Sequence, residues 1–245
     1  MRTLMHLLIA STIHRPMKKE NLEEFAYNSI IKLILENHFR PGDFLLESEI
    51  TELLNLKSRT PVHHALGQLV AKGFLDKKNK KGCFIPSLTP EDAEHVFFAR
   101  ENIEFQTAAS AAIHASDEEI DELQVIIQKE VETGKSGNVV AYSSINEKFH
   151  TFIAQISKNR YLQQYSQHIF WRSNIYIFFY YYQFKKSKID NEFKISPSQH
   201  IKIMEAITKR DADEAGKHMK QHVRGTFEGI FKINKQKGGV LEKNL

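Results

Sequence analysis

PGDFLLESEITELLNLKSRTPVHHALGQLVAKGFLDKKNKKGCFI, residues 41–85, is the stretch on which the fold turns. Pro41-Gly42 is a turn signal. From Glu47 to Leu54 a short helix is predicted, with Ile50, Leu53 and Leu54 on its apolar side. Ser58 can cap the next helix, where Val62, Ala65, Leu66, Leu69 and Val70 keep the helical period until Gly73 stops it. Beyond it, apolar Phe74 and Leu75, polar Asp76 to Lys81, then Gly82, Phe84 and Ile85 read as two short strands around a basic turn. Upstream, Leu22, Phe25, Ile30, Ile31, Ile34 and Leu35 recur at near-helical spacing between Glu20 and Asn37. Three helices followed by a β-hairpin wing make a winged helix-turn-helix, whose third helix enters the major groove of DNA.

That assignment names residues. Arg59 is the foremost candidate base reader, because a guanidinium can take guanine O6 and N7 together. Ser58, Thr60 and His63 share its leading turn, Lys80 and Lys81 suit phosphates, and Gly82 allows close backbone approach. The competing reading pairs Arg59 with a carboxylate such as Glu49. Charge bears on the choice. The net charge is +4; residues 1–88 hold 13 Lys and Arg against 9 Asp and Glu, whereas 89–245 hold 21 of each. Between 57 and 81, seven basic residues face only Asp76. A local cationic field attracts the phosphate backbone, although a solvated basic surface would have the same composition.

The second half has a different grammar. The linker is read at 84–90. Thr89-Pro90-Glu91-Asp92 is a helix start, with a cap, a first-turn proline and acids favoured by the helix dipole. Helices are predicted over 90–114, 117–134, 138–157, 159–184, 197–209 and 211–233, with neither strand alternation nor a glycine-rich phosphate loop. The expected architecture is therefore mainly α: residues 17–88 as the winged helix-turn-helix and 89–245 as an all-helical bundle for sensing and dimerisation. The run Ile175 to Phe184 is densely aromatic. Such a face is bundle core or dimer surface before it is a ligand cage, with Tyr176, Tyr180 and Tyr182 as candidate hydroxyl donors.

Composition excludes several classes. Hydrophobic residues make up 41% of the chain, enough to bury real cores, and the single cysteine, Cys83, leaves no internal disulfide framework and fits a reducing cytoplasm. No apolar run reaches the length of a membrane span. The apolar residues after Arg2 make a poor signal peptide, so 1–16 is read as a flexible extension and Met17 as an alternative start.

Residues 41–85 resemble the DNA-binding domain of the GntR family, through PG, SRTPV, the AL-xx-L-xxx-G spacing and the Gly-containing wing. The second half resembles the family's FCD-type sensor domain of the FadR subfamily, through Ala99 to Glu104, Phe149-His150 with Asn159 after it, and the stretch from Gln199 to His222. The resemblance implies a cytoplasmic homodimer on a pseudo-palindromic double-stranded operator, a repressor released by a small carboxylate metabolite. It departs from the family where His63-His64 replace a common Arg-Glu, where LNLK lengthens the turn before Ser58, and where Ser48 stands at a frequently basic position.

The same resemblance implies a metal site. His150, His200 and His222 match family ligand positions, and three imidazoles suit zinc or nickel. The fourth family ligand, an Asp one turn before the first histidine, is here Asn146, which offers an uncharged carbonyl. His218 is a rival, four residues before His222 on one face. Arg100 matches an arginine facing the pocket, suited to a carboxylate; otherwise it is an exposed arginine on the first bundle helix. Two other functions remain open: a metal-dependent hydrolase, since three histidines could activate water, and a constitutive DNA binder whose helical half only dimerises.

Overall fold

The computed structural model describes residues 22–136, 139–185 and 197–236; the extension 1–16 lies outside them. Contacts divide these residues into two compact units, one drawn from the chain up to Leu88 together with Phe178 onward in one helix, the other holding the remainder from Thr89.

In the first unit, α1 (Leu22–Leu35), α2 (Glu47–Leu53) and α3 (Thr60–Ala71) bury Ile30, Leu33, Ile50, Leu53, Val62, Leu66 and Leu69 against one another. These are the residues of the apolar stripes, and their burial is the main force holding three short helices together. The wing is larger than the hairpin expected. Strand β1 (Phe44–Leu45) joins β2 (Asp76–Lys78) and β3 (Gly82–Phe84) in the antiparallel order β1-β3-β2, with Phe44 opposite Phe84 and Lys77 opposite Cys83. The first wing strand also starts later than Phe74-Leu75. Gly73, at φ +83°, turns the chain out of α3, and the amides of Phe74 and Leu75 both donate to the Leu69 carbonyl. The two side chains therefore stay under the helix, each 1% exposed, and pairing begins at Asp76.

The second unit is helical throughout its described residues: α4 (Pro90–His114), α5 (Asp117–Ser136), α6 (Val139–Ile156), α7 (Arg160–Lys185, to Ile177 in this unit), α8 (Ser198–Thr208) and α9 (Ala212–Gln236). The starts are written locally. Thr89 Oγ1 accepts from the Asp92 amide at 3.1 Å, and Asn159 Oδ1 accepts from the amides of Tyr161 and Leu162. Ser116 and Glu119 cap each other reciprocally, side chain to amide in both directions. Helix α9 lies so close to α4 that a Cβ on Gly216 would come within 2.6 Å of the Phe105 ring. Helix α4 is consequently the axis of the unit, and its buried face carries Arg100, Glu101 and Glu104 among small residues such as Ala108 and Ala111.

Candidate functional site

The DNA-reading candidates all belong to the first unit. Ser58, Arg59, Thr60 and His63 lie at or just before the start of α3, and Lys80, Lys81 and Gly82 form the tip between β2 and β3; all seven are exposed. Ser58 is not the N-cap itself. Arg59 occupies that position without a side-chain bond, while Ser58 Oγ accepts from the Thr60 amide at 3.3 Å one residue earlier. Pro61, just inside the helix, lacks the amide that a conventional cap would have to satisfy. Among the described residues Arg59 has no ion-pair partner, Glu49 included, so its guanidinium is free to reach outward. At the wing tip Lys80 has φ +63° and Gly82 φ +100°, a tight turn that holds the lysines out in solvent.

The second site is buried. His150 on α6, His200 on α8 and His222 on α9 present ring nitrogens that all lie within 4.8 Å of one another. His150 and His200 are 1% and 2% exposed, and His222 is half-buried. The outward nitrogen of each ring is committed. His150 Nδ1 is 2.6 Å from Glu104 Oε2, His200 Nδ1 is 2.8 Å from Glu130 Oε1, and His222 Nδ1 is 2.9 Å from Gln199 Oε1. Each acceptor fixes Nδ1–H and leaves Nε2 as a lone pair aimed inward, the tautomer that a metal selects. The Nε2 atoms of His200 and His222 then meet at 3.1 Å, lone pair against lone pair. A shared proton or a cation beside it would relieve such a contact.

Arg100 is fully buried rather than exposed. Its Nε donates to Glu104 Oε1 at 2.7 Å, Nη1 to Ser173 Oγ at 3.0 Å, and Nη2 lies 3.3 Å from His150 Nε2, while Phe170 covers the guanidinium. Burial alone would raise the Glu104 carboxyl, but the charges of Arg100 and His150 and their hydrogen bonds bring it down to about 2. Burial lowers His150 to about 4; Glu104 opposes this and Arg100 reinforces it. Burial, then the neighbouring imidazoles and Arg100, also press His222 well below its ordinary value. Neutral imidazoles are the form a metal requires. Glu104 and Glu130 bring two buried carboxyl groups to the centre against the one guanidinium of Arg100.

Asn146 lies one turn before His150 on α6 and is half-buried. His218 stands apart, 3.6 Å from Glu214 at a partly exposed edge. Tyr176 is fully buried, but its hydroxyl donates to Asp92 Oδ2 at 2.5 Å; the side chains of Tyr180 and Tyr182 lie outside the described residues. Sequence reasoning missed Glu130, Gln199 and the Phe149 ring that stacks on His200 at 4.1 Å. Glu130 had a signal: it continues the stripe Ile120, Leu123, Ile127, a carboxylate where an apolar residue belongs.

A winged helix-turn-helix joined to a helical domain with a polar centre defines a transcriptional regulator. The chain belongs to the GntR family. The model for bacterial regulatory proteins of the gntR family matches residues 22–85, and the FCD domain matches residues 95–225. Among relatives, the uncharacterized HTH-type transcriptional regulator YdhC of Bacillus subtilis is 27% identical over 208 residues, covering 83% of this chain and 88% of that one. The Nta operon transcriptional regulator of Aminobacter aminovorans is 27% identical over 207 residues, covering 84% and 91%. The HTH-type transcriptional repressor GlaR of Escherichia coli is 27% identical over 195 residues, covering 78% and 87%. In fold, the chain is similar to E. coli McbR/YncC at TM-score 0.69 and 16% identity, covering 86% of this chain and 98% of that one. No helix among the described residues is long and apolar enough to cross a membrane.

Proposed function

We propose that this regulator is a cytoplasmic repressor, bound as a homodimer to a double-stranded operator and released when a small carboxylate enters the helical domain. On the DNA side, Arg59, Thr60 and His63 read base edges, Ser58 orders the leading turn, and Lys80, Lys81 and the backbone at Gly82 hold phosphates. On the sensor side, a divalent ion, zinc or nickel, is held by His150, His200 and His222, with Asn146 supplying a weaker neutral oxygen. Such an ion would supply a positively charged anchor for the effector carboxylate. Arg100 stands beside it with one N–H group, Nη2, whose present acceptor is the same His150 nitrogen that the metal would use.

The observation that carries this reading is the convergence of three Nε2 lone pairs whose outer nitrogens are already engaged. It favours a binding centre over hydrolysis, because Glu104 and Glu130 both serve imidazoles and neither is free as a base. The test is thermal unfolding of metal-stripped protein with zinc or nickel, alone and with small carboxylates. A native-state ligand at a hundred times its Kd adds about 2.7 kcal/mol. A metal-dependent rise, increased by a carboxylate that also weakens operator binding, is the expected result. A melting point unmoved by any metal or carboxylate would leave a constitutive DNA binder.

A further inference from the structure

The surface that meets DNA contains one residue out of place. Glu47 opens α2, and its Oε1 lies 2.7 Å from Nδ1 of His63 in the first turn of α3. Both side chains are exposed, 41% and 62%. A carboxylate there is repelled by phosphates and opposes the basic residues around it. As a surface ion pair it adds little to folding. Besides its favourable place in the first turn of α2, it engages the imidazole directly.

His63 and His64 are adjacent, yet they are drawn in different directions. His64 Nδ1 is 2.6 Å from Glu23 on α1, whereas His63 turns toward α2, the other helix of the DNA-reading pair. With Nδ1–H held by Glu47, only Nε2 of His63 points away from the protein, and among the described residues it has no partner. The other charged groups near this pair are Arg59, one turn earlier on α3, and Lys77 on β2, which with Glu47 acts on the Cys83 thiol.

We infer that Glu47 and His63 act as a single base-reading unit. Glu47 accepts Nδ1–H and holds the ring, and the imidazolium so oriented offers Nε2–H as one donor to guanine N7 or O6 in the major groove. In that state the pair is neutral overall, so the carboxylate no longer opposes docking. With His63 unprotonated the pair is anionic and Nε2 is an acceptor, wrong for guanine and repelled by phosphate. Glu47 is thus a positioning and specificity residue: it lowers affinity for DNA in general and sharpens the choice of one base pair in each half-site.

The inference rests on α3 being the DNA-reading helix, and the test separates the two. Full-length protein is used to select an operator from random-sequence DNA. Binding of that operator, of its single-base variants and of unrelated DNA is then measured between pH 6 and 8. His63→Ala should weaken operator binding about tenfold and flatten preference at one base pair per half-site. Glu47→Gln and Glu47→Ala should flatten the same position and bind unrelated DNA more tightly than the parent. Unchanged preference and unchanged affinity for unrelated DNA in both Glu47 variants, with His63→Ala still defective, overturns the inference alone. Full operator affinity and preference in His63→Ala removes the assignment of His63 as a reader and the inference with it.

Discussion

Replacing Glu104 by glutamine should destabilise the helical domain far more than its conservative size suggests. The carboxylate is 1% exposed and accepts charge-assisted bonds from Arg100 at 2.7 Å and His150 at 2.6 Å. The amide of the substituted side chain could keep one acceptor, but it would leave the 2% exposed guanidinium of Arg100 without a counter-charge. Breaking a buried pair from one side costs about 3–5 kcal/mol, and the retained acceptor places the expected loss near the lower end, about 3 kcal/mol. At about 2–4 °C per kcal/mol for a chain of this size, melting should fall by roughly 6–12 °C. The chain's single tryptophan is the probe: Trp171 Nε1 donates to Glu147 at 3.0 Å within the second unit, so its fluorescence follows that domain. The experiment is run on metal-stripped protein beside Arg100→Met/Glu104→Gln, which removes both charges, keeps an acceptor for His150 Nδ1 and should recover most of the loss. A Glu104→Gln variant melting within about 2 °C of the parent would refute the buried-pair argument.

Other outcomes follow from the same geometry. Lys80→Ala/Lys81→Ala should reduce the salt dependence of operator binding by up to about two phosphate contacts, while leaving sequence preference intact, as read from affinity at several salt concentrations. His200→Ala should abolish the melting rise on adding zinc or nickel, whereas His218→Ala should leave it unchanged, since His218 lies with Glu214 outside the cluster. Acid should weaken the helical domain in two stages, monitored by urea unfolding at successive pH values. His150, held at about 4 in the folded state, loses its contribution as pH falls from its ordinary 6.5 toward 4; Glu104, held at about 2, loses its own below 4.5. Thr89→Ala removes the acceptor for the Asp92 amide at the head of α4 and should cost about 1 kcal/mol in the same assay.

The helices were legible because their signals are local. Thr89, Ser116 and Asn159 announce starts within three residues, and the apolar stripes of α1 to α3 repeat over a few turns. What the sequence concealed depends on distant partners. Strand β1 is two residues long and exists only because Phe84 and Cys83, far along the chain, pair with it. Phe74 and Leu75 have strand-like side chains, but Gly73 folds them back beneath α3. In the histidine centre the types of ligand residue could be matched to a family. Their supports could not: Glu130 reaches His200 across 70 residues, and Gln199 reaches His222 across 23. No periodicity records such pairings. Arg100 shows the same limit, since its neighbours on α4 do not reveal that Ser173 and His150 enclose it.

Glu130 also bears on how long the regulator survives. Apolar residues in place of both Glu130 and His200 would finish the stripe of α5 and spare the domain a buried carboxylate and its partner, so the resting chain is less robust than a paired change could make it. Such a deficit shifts the balance between folded and degradable protein, and a ligand that occupies the centre would offset it. Were that ligand the proposed ion, cellular abundance would track its supply. Starvation for the ion would thin the pool of regulator through turnover, a slower response than release from DNA and one that needs no second sensor.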